Sequence, residues 1–158
     1  MVKSRTSKEL KRKQAVRTPN RIELIVCEGS RTEPAYFESL IQNFRLHAIR
    51  VHVMASDDSE PINVVELAIA KKEKGVAPGL PYSQIWCVID VEVPPHKTLG
   101  DAWNKAASVN NLELILTNPS FEYWFLLHFA KVVTPFHSNT DIQRELKKFH
   151  PTYKKTRK

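Results

Sequence analysis

The chain has 158 residues, of which 42% are hydrophobic and 26% charged, with 4 Gly, 10 Pro and a formal net charge of +7. A globule of this length buries about two-thirds of its unfolded surface, so one domain accounts for it and neither a disulfide nor a metal is needed for folding. The composition excludes disordered, fibrous and repetitive classes. No run approaches the roughly 18 apolar residues of a membrane span, and the N-terminal MVKSRTSKELKRKQ lacks the apolar segment of a signal peptide. A soluble, cytoplasmic protein with no membrane partner is expected. Cys27 and Cys87 stand among β-branched and apolar residues, which suits reduced core thiols better than a disulfide.

Charge is segregated along the chain. Residues 1–21 carry eight Lys/Arg and one Glu, residues 147–158 carry six more basic side chains and no acid, and the segment between them has a balance of −6. Basic arms of this kind contact nucleic-acid phosphates through counterion release, or are simply solvated ends. The expected organisation is a basic arm over 1–21, an α/β domain over 22–150 and a basic tail over 151–158.

After the breaker Thr18-Pro19-Asn20, the run Ile22 to Cys27 is short and β-branched and ends in the turn Glu28-Gly29-Ser30, as a first strand does. Pro34 sits where a first helical turn tolerates a missing N–H, and Tyr36, Phe37, Leu40, Ile41 and Phe44 recur at helical steps. Val51, Val53 and Ala55 alternate with polar neighbours in a second strand over 50–55. Ser59-Glu60-Pro61 opens a second helix that ends in lysines before Gly75. The near-continuous apolar run from Ile85 to Val91 reads as a strand buried on both faces. A helix over 99–109 and a strand over 112–117 follow. Asn118-Pro119 then reads as a cap and first turn, leading into an apolar helix from Phe121 to Phe129. A last helix, Asp141 to Phe149, is acidic at its start and basic at its end. Alternating strands and helices imply a three-layer α/β fold, with a mostly parallel sheet and helices on both faces. Trp86, Trp103 and Trp124, with Phe121, Tyr123, Phe125 and Phe129, are expected in the core rather than on base-stacking platforms.

In such sheets the ligand crevice lies beyond the carboxyl ends of the strands. There the sequence places Glu28, then Asp90 with Glu92, then Asn118, with Glu122 one turn further on. In an extended segment residues i and i+2 face the same way, so Asp90 and Glu92 can point together. With Glu28 from a neighbouring strand, three carboxylates would share one crevice. A hard cation or shared protons would have to relieve their repulsion. Oxygen ligands favour Mg²⁺ or Mn²⁺ over zinc. On spacing alone a second set of readings stands: Glu28 starting a turn, Asp90 and Glu92 as a solvated strand end, and Glu122 complementing a helix N-terminus. None of the six histidines shows metal-type pairing.

The string from Cys27 to Phe37 (CEGSRTEPAYF), Ile89-Asp90-Val91-Glu92, and the string from Asn118 to Phe129 (NPSFEYWFLLHF) together resemble the RloB-like family. Members are associated with restriction–modification and abortive phage-defence loci, and their core looks like a Toprim domain, a Rossmann-like fold. The resemblance implies metal-dependent phosphodiester chemistry. Glu28 matches the general acid or base, and Asp90 matches the first acid of an Asp-x-Asp magnesium motif whose second acid is here Glu92. Glu28, Asp90 and Glu92 would then hold Mg²⁺ or Mn²⁺. Glu122 would be an outer ligand or helix-start residue, Asn118 an outer residue or cap, and Arg31 a phosphate contact. The resemblance also implies a nucleic-acid partner, a second copy or another defence-system protein, and a chain that continues beyond Lys158.

Two functions follow from different classes. One is a Mg²⁺-dependent nuclease in anti-phage defence. The other is a catalytically inactive Toprim-like module that binds nucleic acid or senses a partner, for which the Asp-x-Glu departure speaks. No tyrosine is placed by sequence with the carboxylates, which favours hydrolysis over a covalent tyrosyl step. A nucleotide-transfer reaction lacks a P-loop.

Overall fold

The computed structural model describes residues 21–45, 50–57, 60–133 and 135–154. The basic arm before Arg21 and the end of the basic tail, 155–158, lie outside the described residues. In chain order the elements are β1 (Ile22–Cys27), α1 (Thr32–Asn43), β2 (Arg50–Ala55), α2 (Pro61–Lys74), β3 (Gln84–Asp90), α3 (Leu99–Ala107), β4 (Leu112–Thr117), α4 (Glu122–Leu127) and α5 (Asn139–Phe149). The four strands form one parallel sheet in the order β2-β1-β3-β4. This is the three-layer α/β architecture that the alternating pattern implies.

Strand alternation divides the apolar residues between two layers. Leu24 and Val26 of β1, with Ile85, Cys87 and Ile89 of β3, pack against Val64, Val65 and Ala68 of α2 and Ala102 and Ala106 of α3. The opposite face presents Ile25, Trp86, Val88 and Ile115 toward Phe37 of α1 and Phe121, the residue before α4, and α5 packs on α4. Full burial of each large aliphatic chain contributes about 1.5–3 kcal/mol, so the α2/α3 layer is the main stabilising core. Cys27 and Cys87 are free, buried thiols, as their neighbours suggest. Burial pushes the Cys87 thiol up to about 12, which keeps it protonated and unreactive.

Helix ends follow local chemistry. Pro61 occupies the first turn of α2, Lys71, Lys72 and Lys74 its last, and Gly75 ends it at φ +61°, where a Cβ would meet the Leu80 carbonyl oxygen at 2.9 Å. At α5, Ser138 Oγ accepts the Asp141 N–H at 3.2 Å and donates to Asp141 Oδ2 at 2.7 Å. This reciprocal cap starts the helix at Asn139, earlier than Asp141.

Three expectations are corrected. Asn118-Pro119 does not open a helix. α4 begins at Glu122 with Phe121 at its N-cap, because the segment before it is used in docking to the loop after β3: the Val91 N–H donates to the Thr117 carbonyl at 2.8 Å and the Glu92 N–H to the Pro119 carbonyl at 3.0 Å. The apolar helix ends at Leu127 rather than Phe129, as the last turn tightens into three-residue bonds from His128 to Phe125 and from Phe129 to Leu126. Finally, Trp103 and Trp124 are 53% and 45% exposed, and Phe129 is 50% exposed, rather than in the core. The buried side of α3 is made by Ala102 and Ala106, and that of α4 by Glu122 and Leu126. At i, i+4 spacing those pairs turn the intervening tryptophans outward.

Replacing Ile89, fully buried between β3 and α2/α3, by Ala is expected to cost about 3 kcal/mol in urea unfolding. Leu116→Ala, on the exposed part of β4, is expected to cost less than about 1 kcal/mol.

Candidate functional site

The chain steps from β1 outward to β2 and from β3 outward to β4, so the strand order reverses between β1 and β3. In a parallel sheet the crevice at this switch point, beyond the carboxyl ends, is where ligands bind. Glu28 is the first residue past β1 and Asp90 is the last of β3. The Glu28 N–H donates to the Val88 carbonyl at 3.0 Å, continuing the β1–β3 ladder one residue beyond the strand. Its carboxylate then reaches across the crevice, where Oε2 accepts the Asp90 N–H at 2.9 Å. On the other flank, Asp90 pairs in register with Thr117, whose hydroxyl donates to Asp90 Oδ1.

Glu28 is a strongly perturbed carboxylate. Burial pushes it up from 4.5 to about 7, the Asp90 N–H opposes that rise, and the charges of Asp90, Glu92 and Glu33 add to it. Glu33, in the first turn of α1, is buried. Its carboxylate lies over Gly29 so closely that a Cβ there would stand 1.9 Å from Oε2. Glu122, the first residue of α4, is 1% exposed and accepts the Tyr153 hydroxyl on Oε1 at 3.1 Å.

A family model described as RloB-like protein matches residues 23–158. The chain belongs to the RloB-like protein family. No curated protein and no solved structure matches it. The three sequence blocks that carry the RloB-like resemblance, widely separated in the chain, are the segments that build this crevice. They supply Glu28 and Glu33 from the first block, Asp90 and Glu92 from the second, and Glu122 from the third.

Not every candidate residue sits as its spacing suggests. The extended i, i+2 geometry of Asp90 and Glu92 is not realised. β3 ends at Asp90, and Glu92 lies in an exposed turn at φ +60°. Its charge nevertheless acts on Glu28. Arg31 is exposed at the N-cap of α1, and Asn118 is exposed in the connector before α4. Two members of the cluster escaped notice in the sequence. Glu33 looks like an ordinary acidic residue in a first helical turn. Tyr153 lies beyond α5, in a turn closed by its N–H donating to the His150 carbonyl at 2.9 Å. The structure thus places a tyrosine among the carboxylates, contrary to expectation. Its phenol is pushed up by burial, then by the charge and hydrogen bond of Glu122, then by Glu33 and Asp90. That environment keeps it a neutral donor and opposes a phenolate nucleophile.

The donors are all oxygens, which suits a hard divalent cation. Among the described residues no three His, Cys, Asp or Glu side chains are arranged to hold a metal ion. Glu28 and Asp90 are two neighbouring carboxylates. Mg²⁺ commonly takes one or two from the protein and completes its shell with water and substrate phosphate. Among the described residues no helix is long and apolar enough to cross a membrane.

Because Glu28 is raised from 4.5 to about 7 in the fold, the folded state holds its proton where the unfolded chain has lost it. The contribution is complete below pH 4.5 and is lost as pH rises to about 7. Thermal melts in EDTA are expected to show Tm falling from pH 5 to pH 7, and E28Q is expected to flatten that fall. An unchanged slope in E28Q would assign the titration to another group.

Proposed function

We propose that this RloB-like protein is a divalent-metal-dependent phosphodiesterase that cleaves nucleic acid, acting in bacterial defence against phage. The observation that carries the reading is the Glu28 carboxylate, bonded to the Asp90 N–H at the switch point and raised to about 7. A carboxyl balanced near neutrality exchanges protons at working pH, as general acid–base catalysis requires. With Oε2 engaged by the backbone, Oε1 is the atom that takes a proton from the attacking water and returns it to the leaving oxygen. Asp90, oriented by Thr117, and Glu92 are the carboxylates that would help Glu28 to hold Mg²⁺ or Mn²⁺. Bound there, the ion would polarise the phosphoryl oxygen and lower the barrier to attack. Tyr153 holds Glu122 in place at the back of the site. A nucleic-acid substrate fits the segregated charge, since the basic side chains gather in 1–21 and 147–158 while the residues between them sum to −6.

A second reading is a nucleic-acid-binding or partner-sensing module without turnover. It draws on the absence of a three-ligand arrangement among the described residues and on the turned-out Glu92.

Purified protein incubated with plasmid DNA, tRNA or single-stranded RNA separates the two. The enzyme reading expects cleavage with Mg²⁺ or Mn²⁺, none with EDTA, and a loss of about 100-fold or more in E28Q and D90N. Metal-independent, salt-sensitive binding with intact substrate would favour the module.

A further inference from the structure

A groove of about 270 Å³ lies on the α1/α4 face of the sheet. Trp86, Val88 and Thr117 contribute to its floor and Phe37, Phe121 and Trp124 to its walls. Side chains alternate along a strand, so Trp86, Val88 and Asp90 project from the same face of β3. The floor therefore runs directly to the Asp90 carboxylate, with Val88 only about 7 Å back along the strand. Thr117 joins the two regions, since it lines the groove while its hydroxyl donates to Asp90 Oδ1.

We infer that this groove receives an unpaired nucleobase of the substrate, stacked on its aromatic rings, while the adjoining phosphate lies at the carboxylates. The inference rests on the phosphodiesterase reading and narrows its substrate to single-stranded or locally unpaired nucleic acid. A peptide would bring backbone N–H and C=O groups that need partners. Among the lining side chains Thr117 alone carries a hydroxyl, and it is engaged by Asp90. A base keeps its polar atoms on the rim of a flat ring, so its faces can be buried while its edge stays in the open mouth of the groove. Trp124 is the prepared wall. Its indole is 45% exposed, yet its N–H donates to the Tyr36 hydroxyl at 2.7 Å, and that hydroxyl bonds His128 Nε2 at 3.0 Å. A ring already pinned loses little freedom when a base stacks on it. A lining with so few polar groups reads no base edge, so stacking should be tolerant of sequence.

The test measures binding in EDTA by fluorescence anisotropy, on a background carrying E28Q so that cleavage does not intervene. The probes are a labelled oligothymidylate and a duplex of equal length. Trp124→Ala is expected to weaken single-strand binding about tenfold and leave duplex binding unchanged, with Trp124→Phe restoring most of the loss. An oligomer of the same length that is abasic throughout should bind the parent protein no more tightly than Trp124→Ala, and Trp124→Ala should not weaken its binding further. Circular dichroism melts of the variants report whether they fold. Absence of oligonucleotide binding, equal affinities for the two probes, or an unaltered single-strand affinity in a folded Trp124→Ala would overturn the inference. So would light scattering that shows Trp124→Ala converting a dimer to a monomer with oligonucleotide affinity intact, since the groove would then be a self-association surface. The two readings fail separately. Single-strand binding that depends on Trp124, in a protein whose wild type cleaves nothing, supports the base site and removes the nuclease. Metal-dependent cleavage unaffected by Trp124→Ala does the reverse.

Discussion

One hydrogen bond joins the halves of the candidate centre: the Asp90 N–H at the end of β3 donates to the Glu28 carboxylate just past β1. Its position follows from the sheet. β1 and β3 are central neighbours whose connections leave in opposite directions, so the gap beyond their carboxyl ends is left uncovered. The same contact sets the electrostatics. A carboxylate accepting a backbone N–H is ordinarily held low, but burial and three neighbouring acids outweigh that bond and leave Glu28 near neutrality. Removing the charge of Asp90 therefore changes the protonation of Glu28 as well as the geometry of the rim.

The rest of the cluster is built by helix starts and a turn. α1 sets the Glu33 carboxylate over Gly29, where a side chain on that residue would displace it. α4 sets Glu122 inward, and the turn after α5 brings Tyr153 to it. Phe125 meets the Tyr153 ring at 6.2 Å, so the phenol is seated by packing as well as by its hydrogen bond. Acids gathered in this way repel one another, and a fold retains such an arrangement where a cation, a proton or a hydroxyl donor offsets the repulsion. Tyr153 is such a donor, already in place on Glu122.

Much of the fold was legible because strand and helix periods differ. The β-branched run of β1, the apolar run of β3 and the capped, lysine-ended α2 appear within a residue or two of where their patterns put them. Glu28 and Asp90 were legible because parallel topology fixes which strand ends are neighbours. What escaped depends on tertiary contacts. Glu92 leaves the extended path because its N–H goes to the Pro119 carbonyl, a partner distant in the chain. Trp103 and Trp124 are apolar enough for a core, but short helices with alanine or inward-pointing acid on their buried side turn them to solvent. Glu33 and Tyr153 carry no local mark of their role, since only the packing of α1, α4 and α5 brings them to the strand ends.

A crystal structure of the protein grown or soaked with Mn²⁺, with the metal located by its anomalous signal, tests the central claim most directly. The account predicts an ion bonded to carboxylate oxygens of both Glu28 and Asp90 at the β1–β3 rim. An ion bound elsewhere, or no ion at that rim with the Glu28–Asp90 hydrogen bond unchanged, would contradict it.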